Sequence, residues 1–108
     1  MLLAGCDPFY GPIVMNGYGY DVDVTLTYSN GESSTYRWPR CRASFVGRRE
    51  AQLEKVTFAT DGHVLREFNA EEIQSLIEQE KRVKFHHVWS VSEKGAVLLT
   101  SKDQGACR

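Results

Sequence analysis

The chain has 108 residues, a formal net charge of -1, 42% hydrophobic and 25% charged residues. That describes one ordinary globular domain with enough apolar content for a single core. Near-neutral charge argues against binding nucleic acid through bulk electrostatics, and no run approaches the ~18 apolar residues of a membrane span.

Residues 7–19 are rich in Pro, Gly and aromatics and read as a tether leading into a short first strand at 13–15. Asn16-Gly17 is then a turn signal. Residues 21–28 alternate: Val22, Val24, Leu26 and Tyr28 face one way, Asp21, Asp23, Thr25 and Thr27 the other. That is the pattern of a half-buried strand. Asn30-Gly31 predicts a hairpin into a return strand at 33–38, with Ser34, Tyr36 and Trp38 on one face. Pro39 stops it, because proline cannot donate to a ladder. Residues 40–49 are basic and irregular.

A third long strand follows at 52–60, with Val56 and Phe58 on its apolar face, and Asp61-Gly62 turns it into another at 63–68. Asn69, with Glu72 three residues on, is a capping box opening a helix over about residues 69–81. Its apolar stripe is Ile73, Leu76 and Ile77. Residues 82–92 alternate again, placing Val83, Phe85, His87, Trp89 and Val91 on one face. Glu93-Lys94-Gly95 leads into a last strand at 96–101, and residues 102–108 form a polar tail. The fold class expected is mainly β: a small antiparallel sandwich or barrel of about seven strands with one helix.

Near the start stands Leu3-Ala4-Gly5-Cys6. This string resembles the lipobox of bacterial lipoproteins, in which cleavage precedes a cysteine that becomes the lipidated N-terminus. The resemblance covers four residues. It implies that Met1 to Gly5 is the end of a signal peptide and that Cys6 carries the lipid. It also implies a membrane attachment through that lipid, with the protein facing the periplasm. Two or more acyl chains anchor stably. Asp7 resembles an inner-membrane retention signal whose meaning differs among species, so the choice of membrane stays open. On this reading residues 1–19 are signal remnant, lipidation site and tether with the start of the first strand, and residues 20–108 are one β-rich domain.

The three cysteines are Cys6, Cys41 and Cys107. Lipidation of Cys6 would leave Cys41 and Cys107 as a pair for a disulfide in an oxidising periplasm. Such a bridge closes a loop of about 66 residues, worth roughly 4 kcal/mol in the chain-entropy description. Two unrelated thiols are the alternative.

The basic stretch holds Arg37, Arg40, Arg42, Arg48 and Arg49, interleaved with Trp38 and Phe45. Guanidinium groups beside aromatics suit an anionic partner, either an envelope protein or an anionic polymer. The competing and commoner reading is a solvated loop whose arginines pair with the acids between residues 50 and 80. His86 and His87 are adjacent on a strand and so point to opposite faces. His87 reads as a core residue, His63 and His86 as solvated, and no metal site is expected. Tyr28 and Tyr36 read as core, and Tyr10, Tyr18 and Tyr20 as surface. No catalytic constellation, phosphate loop or cofactor motif is present in the sequence. The function expected is a non-catalytic binding or structural role in the cell envelope. The alternative is an inhibitor or immunity-type protein blocking an enzyme such as a cell-wall hydrolase, by analogy of size and compartment.

Overall fold

The computed structural model describes residues 13–46, 52–81 and 87–100. Within them, eight strands and one helix follow in chain order: β1 (Ile13–Asn16), β2 (Val22–Tyr28), β3 (Ser33–Trp38), β4 (Ala43–Phe45), β5 (Leu53–Thr60), β6 (His63–Phe68), α1 (Ala70–Lys81), β7 (His87–Ser92) and β8 (Gly95–Thr100). They make two four-stranded sheets, ordered β4-β1-β7-β8 and β3-β2-β5-β6. The mainly β class, with a single helix among the described residues, is therefore as the sequence predicts.

The second sheet is built from two hairpins. β2 pairs antiparallel with β3 on one side and with β5 on the other, and β5 pairs with β6. Its alternation is legible in the chain: Val22, Val24, Leu26 and Tyr28 are all buried. The Tyr28–Glu32 turn closes through Gly31, whose φ of 89° needs a residue without Cβ.

The first sheet departs from expectation in two ways. β4 lies within the stretch read as irregular, because Ala43-Ser44-Phe45 has no alternation and is recruited by pairing with β1. β1 then pairs with β7 in parallel, not antiparallel: Ile13 opposes Val88 and Asn16 opposes Val91. Parallel neighbours need a crossover, and here it comprises everything from β2 to α1. Pairing across more than 70 residues leaves no local signal. β1 is thus a central strand of its sheet. Centrality also explains β7, where His87, Val88, Trp89 and Val91 are all buried; a strand covered on both faces loses its clean alternation.

The two sheets share one core. Val14, Trp89 and Val91 of the first meet Val22, Val24, Leu26, Val56, Phe58 and Phe68 of the second. Phe58 is fully buried at the centre, edge-on to Trp38 and Phe68 at centroid distances of 6.2 and 6.4 Å. Such edge-to-face pairs add roughly 0.5–1.5 kcal/mol beyond area burial. α1 lies against β5 and β6, with Ile73 buried and Leu76 and Ile77 partly so. Its start is the expected capping box: the Glu72 N–H donates to Asn69 Oδ1 at 2.9 Å and the Asn69 N–H to Glu72 Oε1 at 3.2 Å. The void among the sheets and α1 is about 10 Å³ and lined by apolar side chains, too small for anything beyond one water.

Candidate functional site

The most constrained polar residue described is Asn16, with no exposed surface. It is the last residue of β1, and strand alternation turns its side chain to the same inner face as Val14. There Nδ2 donates to the carbonyls of Tyr20 at 2.9 Å, Trp38 at 3.2 Å and Pro39 at 3.2 Å. Oδ1 accepts from the Tyr18 N–H at 2.9 Å. One side chain therefore ties the end of β1 to the following turn and to the end of β3 in the other sheet. The sequence signal at this position, Asn-Gly, speaks only of a turn. The buried role follows from β1 being central.

The backbone of Asn16 adds two more bonds. Its N–H donates to Arg42 O at 2.9 Å and its carbonyl accepts from the Cys41 N–H at 3.0 Å. Two residues thus oppose one, as in a β-bulge. The Arg42 N–H also closes a β-turn onto Pro39 O at 3.1 Å. Cys41 sits third in that turn with φ of 68°, in the left-handed region that a glycine would normally fill. Holding a cysteine there costs about 1–2 kcal/mol, offset by the bonds around it. Cys41 is not a free thiol. Cys6 and Cys107 lie outside the described residues.

This scaffold presents part of the predicted arginine set. Arg37, Arg40 and Arg42 are exposed, whereas Arg48 and Arg49 lie outside the described residues. Arg37 reaches Asp23 across the β2–β3 pair at 3.4 Å. The pair is largely solvated, so it stabilises little. Neither Arg40 nor Arg42 has an ion pair or side-chain hydrogen bond among the described residues. Among the described residues, these two therefore lack the expected pairing with acids downstream. Trp38 is a correction to the partner-binding set: its ring is 4% exposed and packs on Phe58. Strand alternation turns it inward while Arg37 faces out.

A polar cleft of about 570 Å³ lies between the β7–β8 turn, Tyr18, Leu65 and Arg66. Tyr18, expected at the surface, is 3% exposed. Burial pushes its phenol above the usual tyrosine range, Tyr20 and Glu93 push the same way, and Arg66 opposes them. Arg66 is engaged in the fold. Its Nη2 donates to Glu72 Oε2 at 3.1 Å, its guanidinium lies 4.6 Å from the Phe68 ring centroid, and its buried Nε has no acceptor among the described residues. Tyr36, expected in the core, is 48% exposed because β3 is an edge strand. His63 is exposed and His87 buried, as read from sequence; His86 lies outside the described residues. Among the described residues no His, Cys, Asp and Glu cluster could hold a metal, and no helix is long and apolar enough to cross a membrane.

Comparison with known proteins finds no family model, curated protein or solved structure that matches the chain.

Proposed function

We propose that this chain is a non-catalytic binding protein of the bacterial cell envelope, held to the membrane by lipid on Cys6. Its basic turn at Pro39 to Arg42, with Arg37 beside it, takes an anionic partner. The observation that carries this reading is the turn itself. Asn16 holds its backbone from both sides, Cys41 is bonded, and Arg40 and Arg42 project without partners among the described residues. A turn whose backbone is already fixed loses less conformational freedom when a carboxylate or phosphate arrives. The lipobox-like Leu3-Ala4-Gly5-Cys6 supports the anchor, and the bonded state of Cys41 supports a Cys41–Cys107 bridge formed in an oxidising compartment. Peptide mapping without reduction checks the bridge. A Cys6–Cys41 peptide instead would remove Cys6 from lipidation and overturn the anchor.

The inhibitor reading is favoured by the same rigidity, since a pinned turn bearing two cations suits the acidic cleft of an enzyme. Cross-linking in intact envelopes tests both. Arg40→Ala with Arg42→Ala should abolish the cross-linked partner and leave the urea midpoint unchanged, because neither side chain supports the fold. Undiminished cross-linking would sink the proposal. Loss of inhibition of a cell-wall hydrolase by the same variant would select the second reading.

A further inference from the structure

β3 ends the second sheet, and among the described residues nothing pairs with its far side. The phase of its backbone is fixed by the hairpin. The Tyr28 N–H donates to Glu32 O at 2.9 Å, which makes that a hydrogen-bonded pair. Alternation along an antiparallel ladder then makes Leu26–Ser34, Val24–Tyr36 and Val22–Trp38 bonded pairs as well. The N–H and C=O groups of Ser33, Thr35 and Arg37 therefore point away from β2, to a side where no described strand pairs with them.

The side chains of this edge are equally ordered. Ser33, Thr35 and Arg37 share the outer face; Ser34 and Tyr36 share the inner one. Tyr36 is 48% exposed, although its cross-strand neighbour Val24 is completely buried. The inner face thus continues one strand beyond its cover. At the end of β3 stands the pinned turn with Arg40 and Arg42, unpaired among the described residues. The strip combines an open backbone ladder, an exposed aromatic on one face and three arginines toward one end.

We infer that β3 is the docking edge for an extended acidic segment of a partner protein, which adds to the second sheet as a fifth strand. This rests on the proposed reading of the basic turn and supplies the partner's conformation and chemistry. Backbone bonding would give affinity, and alternate side chains would give selectivity. Residues on the Arg37 face are acidic, and those on the Tyr36 face are apolar. Charge and proline are also the usual guards of an edge against aggregation. A guard made of arginine excludes basic strands and admits acidic ones.

The test titrates the isotope-labelled protein with a capped heptapeptide alternating glutamate and valine, and with its lysine-for-glutamate counterpart. The acidic peptide should shift and protect the amides of Ser33, Thr35 and Arg37; the basic one should not. Thr35→Pro removes an outward donor while sparing every backbone bond to β2, at the loss of the Thr25–Thr35 hydroxyl contact of 2.8 Å, and should weaken binding by about tenfold. Arg37→Glu should weaken it similarly and let the lysine peptide bind. If Thr35→Pro unfolds the protein, Arg37→Glu decides. Equal binding of both peptides, or no shift at millimolar peptide, overturns the inference. Shifts confined to Arg40 and Arg42, with Thr35→Pro binding normally, overturn the added strand while leaving the basic turn in place.

Discussion

Replacing Asn16 with alanine should be among the most damaging single changes in this protein. Among the described residues the side chain has four hydrogen-bond partners, its two amide protons shared among three carbonyls, and the contacts to the Trp38 carbonyl and from the Tyr18 N–H are fully buried. Stranding a buried polar group costs roughly 1–3 kcal/mol. The carbonyls of Tyr20 and Pro39 are only partly buried and can turn to water, at smaller cost. The sum is about 3–5 kcal/mol, a large share of the roughly 5–15 kcal/mol available to a domain. Heat denaturation should then fall by roughly 15–30 °C, and urea unfolding should show a lowered midpoint with an unchanged slope. Asn16→Asp separates hydrogen bonding from volume. A carboxylate facing three carbonyls has its pKa raised in the folded state, so folding binds protons that the unfolded chain releases. Its penalty grows as pH rises above about 3.9 and is relieved in acid. A loss below about 1 kcal/mol for Asn16→Ala, or stability of the Asn16→Asp variant that is indifferent to pH, would refute this account of what joins the sheets.

Gly17 and Gly19 offer a matched pair. A Cβ on Gly17 would lie 2.5 Å from Ser90 Oγ and 2.9 Å from Val91 O, whereas one on Gly19 meets nothing. Gly17→Ala should therefore cost about 1–3 kcal/mol in urea unfolding, and Gly19→Ala less than about 0.5 kcal/mol. Tyr18 should titrate above the usual tyrosine range when phenolate absorbance is followed. Its raised pKa means that stability is lost as pH climbs through about 10, where the unfolded chain ionises first. Tyr18→Phe should flatten that alkaline decline, and an unchanged decline would contradict the assignment.

Local pattern made the second sheet and the helix readable. The alternation of β2, the Asn30-Gly31 turn and the Asn69/Glu72 cap each depend on residues a few positions apart. The first sheet depends on a strand pairing with a segment more than 70 residues away, and such pairing leaves no periodic trace. Asn16 was hidden for the same reason: Asn-Gly is a turn signal, and only the central place of β1 converts the side chain into an interior tie. Tyr18 followed Asn16 into the interior, since its own N–H is held by that residue. The basic set could not be sorted by facing from the sequence alone. Arg37 and Trp38 are adjacent, and only the register of β3 decides which one faces water.

The parallel pairing of β1 with β7 also bears on how the molecule is completed in time. β2, β3, β5 and β6 find one another through neighbouring hairpins, so that sheet needs little of the chain to assemble. β1 is synthesised before all of them, yet its partner on one side is synthesised after all of them and after α1. Until β7 emerges, β1 has one bare edge. Contacts of such long sequence separation close late and slowly. A chain emerging from its first residue onward therefore holds an unfinished first sheet until the last quarter of its length is available. Completion comes late, when β7 adds to the bare edge of β1 and β8 folds back on β7 as the outermost strand.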